Sequence, residues 1–109
     1  MEVLEVKSLA ALPAGIRQLL PSGTGHDGIA DTGGRFNVSD ALTPDTAALP
    51  MRRFTMAAVG ATCAVVAIAY GGITHGFETH EYHMIDGVWR VAAQRGLSRE
   101  PKSVSDLLR

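Results

Sequence analysis

The chain has 109 residues, 46% hydrophobic and 19% charged, with a formal net charge of −1 and one cysteine. That length suits a single domain with its own core, and the near-neutral balance supplies no electrostatic footprint for nucleic acid or an anionic membrane. Cys63 stands alone, so an internal disulfide is excluded, and cysteine usage points to the cytoplasm rather than an oxidising compartment.

In chain order, "EVLEV" near the N-terminus reads as an edge strand or as a lead into a helix. Its acids occupy the place where a secretory signal carries cations, so no signal is expected. Residues 9–20 predict a helix, with Pro13 in the first turn and Ile16, Leu19 and Leu20 on one face. Residues 21–50 are rich in Gly, Asp, Ser, Thr and Pro and read as a long polar loop with one short strand around Arg35 to Val38. Gly23, Gly25 and Gly28 match G-x-G-x-x-G literally, but a dinucleotide fingerprint needs a strand before it and a helix after it. His26-Asp27 reads as a turn pair, and Asp27, Asp31, Asp40 and Asp45 are too far apart for a calcium loop. Asn37-Val38-Ser39 fits a glycosylation sequon, which matters only in a secreted eukaryotic chain.

After Pro50 the pattern becomes strand-like, with strands predicted at about 52–59, 62–70, 76–85 and 88–95. No formal charge falls between Phe54 and Phe77, so length alone would allow a membrane span at 54–73. Gly60, Gly71 and Gly72 divide that run into strand-sized pieces, and strands buried on both faces are the preferred reading, with Cys63 a buried, inert thiol. A C-terminal helix is predicted at about 101–109, with Ser103 and Asp106 as a capping-box variant. The expected architecture is one α+β domain: a four-stranded antiparallel meander with one or two short helices packed on one face.

The stretch "THGFETHEYHMIDGVWR" carries His75, His80 and His83, and it resembles a metal site only while neighbours in sequence are assumed to be neighbours in space. Asp86-Gly87 between two alternating runs is a strong hairpin signal. It pairs Ile85 with Val88, Met84 with Trp89, His83 with Arg90, Tyr82 with Val91, Glu81 with Ala92 and His80 with Ala93. One face then collects Met84, Trp89, Tyr82, Val91 and Ala93 with His80; the other collects Thr79, Glu81, His83, Arg90 and Gln94. His80 and His83 point to opposite sides, and His75 lies roughly 26 Å of extended strand from His83. No metal site is expected here.

No catalytic set, cofactor motif or nucleophile elbow stands out. The preferred expectation is a small, soluble, non-enzymatic bacterial protein that binds an unidentified protein partner, in the manner of immunity-type inhibitors, with no cofactor, no metal and no nucleic acid. Glu81, His83, Arg90 and Thr79 are its candidate contacts, helped by the loop from His26 to Asp45; self-association is compatible with the sequence. One alternative is a small-molecule-binding or enzymatic domain whose pocket, between sheet and first helix, uses His80, Tyr82 and Trp89. The other is a protein anchored in a membrane at 54–73.

Overall fold

The computed structural model describes residues 3–21, 28–36, 49–71 and 76–108. Its elements are β1 (Leu4–Val6), a 3₁₀ turn (Leu9–Ala11), α1 (Ala14–Arg17), β2 (Arg52–Val59), β3 (Cys63–Tyr70), β4 (Gly76–Ile85), β5 (Val88–Leu97) and α2 (Val104–Leu107). The strands form one antiparallel sheet in the order β1-β2-β3-β4-β5. The α+β class and the antiparallel meander are as expected. The sheet has five strands, not four, because the N-terminal "LEV" pairs with Val59, Ala58 and Ala57.

β3 and the Met56–Val59 part of β2 are apolar because both their faces are covered. On one face, here called the inner face, Phe54, Ala57, Val66, Ile68 and Tyr82 pack with Leu12 and Ile16. On the outer face Met56, Ala58 and Ala67 pack against Leu107 of α2. The helices therefore lie on opposite faces of the sheet, not together on one.

A bulge in β2 makes this division. Phe54 pairs with Ile68 and Met56 with Ala67, leaving Thr55 as the extra residue. Without it Phe54 and Met56, two apart, would share a face. The hydroxyl of Thr32 donates to the carbonyls of Phe54 and Thr55 at 3.3 and 3.4 Å, serving the backbone beside the bulge.

The predicted helix over 9–20 is broken into the 3₁₀ turn and α1. Leu12 and Pro13 between them have ψ of 147° and 141°. Proline disfavours helical geometry in the residue before it, so Pro13 caps a four-residue helix and does not sit within a longer one. The loop that follows is fastened at its described part. Asp31 accepts from the backbone N–H of Leu9 at 2.9 Å, Ala30 bridges Arg53 in parallel, and the Arg53 guanidinium stacks 4.5 Å from the Phe36 ring centre. Arg35 and Phe36 belong to no strand. Gly23, Gly25, His26, Asp27, Asn37, Val38, Ser39, Asp40, Asp45 and His75 lie outside the described residues.

The C-terminal helix is shorter than the predicted 101–109, and its capping differs. Ser103 makes no side-chain capping bond. Asp106 Oδ2 accepts instead from the N–H of Lys102 at 2.9 Å, one residue further out. Residues 54–70 run through two strands joined at Gly60-Ala61-Thr62, and no helix among the described residues is long and apolar enough to cross a membrane.

Candidate partner-binding surface

The β4–β5 hairpin closes at Asp86 and Gly87 with φ of 53° and 80°. Positive φ at both central positions is what a type I′ turn requires, and it sets the register. The pairs Ile85–Val88, Met84–Trp89, His83–Arg90 and Tyr82–Val91 form as expected from the turn. Beyond Tyr82 the register shifts: Glu81 pairs with Ala93 and His80 with Gln94, leaving Ala92 as the extra residue. The expected pairs Glu81–Ala92 and His80–Ala93 are therefore corrected by one position. Ala93 and Gln94 exchange faces relative to the expectation, because a bulge reverses side-chain parity beyond it.

The same reversal has an electrostatic result. Arg90 pairs with His83, and Arg95 with Thr79. His83 and Thr79 share a face of β4, so both arginines project from the outer face. In a regular strand, residues five apart would face oppositely.

The outer face carries the four candidate contacts, but in different settings. Glu81 and His83 are about half exposed, and His83 Nε2 lies 3.3 Å from Glu81 Oε1, at hydrogen-bond distance. Arg90 beside them is exposed. Thr79 is buried, and its hydroxyl donates to the carbonyl of Arg95 at 3.4 Å. Arg95 in turn donates to the carbonyl of Leu107 at 3.5 Å, tying β5 to the end of α2. Between α2 and the sheet lies a groove of about 430 Å³, lined by Val65, Thr79, Glu81, Ala93, Arg95 and Leu107 among others. Arg95, Ala93 and α2 are the parts of this surface that sequence reasoning missed.

His80, Tyr82 and Trp89 lie away from this groove, on the inner side of the hairpin. Tyr82 and Trp89 belong to the core, with Trp89 against Gly15 of α1. His80 is mostly covered and pairs with Glu78 at 2.9 Å. The Tyr82 hydroxyl is buried with no hydrogen-bond partner among the described residues. Burial, reinforced by the Glu78 carboxylate, pushes its pKa from 10.0 up to about 12. His80 and His83 do face opposite ways, since His80 stands beside Val66 and His83 beside Cys63 in the register. Cys63 is half-buried, more open than expected. Among the described residues no three His, Cys, Asp or Glu side chains group to hold a metal ion.

The remaining feature of the surface is its open edge. Met84 donates its N–H to the carbonyl of Thr62 at 2.8 Å, away from β5. Met84–Trp89 is therefore a non-hydrogen-bonded pair of the hairpin, as is Tyr82–Val91 two residues on, and the N–H and C=O groups of Trp89 and Val91 point outward from the sheet. Comparison with known proteins finds no matching family model, no matching curated protein and no matching solved structure.

Proposed function

We propose that this chain is a non-enzymatic protein-binding module and that the β4–β5 hairpin is its contact surface. The observation that carries the reading is the contrast between the two sheet edges. β1 is three residues long, whereas β5 has ten, and every residue from Arg90 to Gly96 is exposed. Long open edges present unpaired backbone groups that recruit another chain unless they are blunted. Apolar side chains near the turn extend the patch, with Ile85, Val88 and Val91 each about half exposed. Occlusion of a bacterial toxin is the biological form such a module takes in the immunity reading, and the lone cysteine fits a cytoplasmic setting.

The test is recovery of the full chain from its native cells with whatever protein it holds. Val91→Lys places a charge on the edge, and Val91→Pro removes an outward N–H that the fold does not use. The expected result is a stoichiometric partner on the parent chain that is lost from both variants while their urea midpoints stay parental. A partner retained equally by both would remove the edge from the reading.

A further inference from the structure

We propose that β5 takes up an acidic extended segment of a partner protein as a sixth strand, its carboxylates held by Arg90 and Arg95. This rests on the reading of β5 as the contact edge and adds the chemistry of what binds there.

The charge pattern of the edge carries the inference. From Val88 to Arg99 the chain has three arginines, Arg90, Arg95 and Arg99, and no Asp, Glu or Lys. Arg90 and Arg99 have no acidic partner among the described residues. Arg95 spends one donor on the Leu107 carbonyl, and a guanidinium has five. The bulge at Ala92 brings Arg90 and Arg95 to one face, opposite His83 and Thr79. Those partners are four residues apart, so the two cations stand roughly 13 Å apart along the strand. An added strand meets them with acids four residues apart on one of its own faces.

The groove defines the position between those acids. Ala93, paired with Glu81, lies between the arginines on the same face, and both residues line the groove with Val65 and Leu107. A side chain there meets apolar walls and a carboxylate that repels acids. The expected motif is acid, any, apolar, any, acid. In strand addition the backbone supplies affinity and such side-chain pockets supply selectivity.

A second copy of this chain fits the edge poorly. Two β5 strands paired antiparallel about their midpoint set Arg90 opposite Arg95 twice, and like charges directly opposed are destabilising.

An unbiased displayed library of ten-residue peptides, selected on the full-length protein, tests this. The expected pool is enriched in Asp or Glu at four-residue spacing with an apolar residue midway. Binding of a selected peptide should fall roughly tenfold in the Arg90→Glu, Arg95→Glu double variant, and return when the peptide's acids are exchanged for lysines. It should also be lost in Val91→Pro, which removes an outward N–H without changing the charge of the edge. A selected pool no more acidic than the library would overturn the acidic partner while leaving β5 as an edge. Peptides that bind Val91→Pro as well as the parent would overturn both, as would selection that enriches nothing. A dimer seen by sedimentation in the parent and abolished by Val91→Lys would make a second copy the occupant and overturn the proposal.

Discussion

Gly87 shows how much of this hairpin depends on one residue. At φ of 80° any side chain is strained, so Gly87→Ala should lower stability by about 1 kcal/mol or more in urea unfolding. Asp86→Asn, which keeps a residue tolerant of positive φ, should leave it nearly unchanged. Tyr82 offers a second test. Its hydroxyl is buried without a partner among the described residues, and replacing such a group by an apolar surface is neutral or favourable. Tyr82→Phe should be as stable as the parent at pH 7, or up to about 1 kcal/mol more so. At high pH the difference grows. The folded pKa lies above the unfolded value of 10.0, at about 12, so the unfolded chain releases this proton first. The parent's stability is whole below pH 10 and declines as pH rises towards 12, whereas Tyr82→Phe lacks that loss. Parallel unfolding curves from pH 9 to 12 would show the two diverging; curves that stay parallel would mean the phenol ionises freely in the fold. The turn and the opposition of His80 and His83 were legible in the sequence because both follow from local chemistry. The burial of Thr79 was not, since the residue set against it, Arg95, is placed there by the bulge at Ala92.

At the level of elements, strand positions could be read closely because apolar runs and turn residues bound them. The bulges at Thr55 and Ala92 could not, because a bulge exists only between two paired strands and leaves no fixed mark in either sequence. Helix 9–20 failed for a different reason: apolar spacing outweighed the restriction that Pro13 places on Leu12. The fit of α1 to β5 gives a direct test. A Cβ on Gly15 would meet Trp89 Cδ1 at 2.8 Å. Alanine is worth about 1 kcal/mol over glycine inside a helix, yet an overpacked core loses about 1–3 kcal/mol. Gly15→Ala should therefore be net destabilising by thermal denaturation, against the helix scale. On the outer face, Leu107→Ala removes the fully buried side chain that anchors α2. It should cost about 2–4 kcal/mol and weaken any ligand of the groove.

Across the whole molecule, protection should follow position in the sheet. Ala64, Val66, Ala67, Ile68 and Ala69 lie buried in the central strand β3. Their amides should exchange slowest with deuterium, at rates set by global unfolding. The outward N–H of Val91 should exchange fastest within the sheet, and a bound strand should slow it selectively. Equal protection at Val91 and Ala67 in the unliganded protein would mean that the edge is already covered.

The inequality of the two edges also bears on stoichiometry. Sheets that extend into filaments need each molecule to receive a strand on one side and offer an equivalent one on the other. Here the opposite side ends in the short Leu4–Val6 segment, which gives a neighbour's ten-residue β5 little to pair with. On the proposed reading, occupation of β5 should therefore terminate the sheet, with binding that saturates at one strand per chain in a titration.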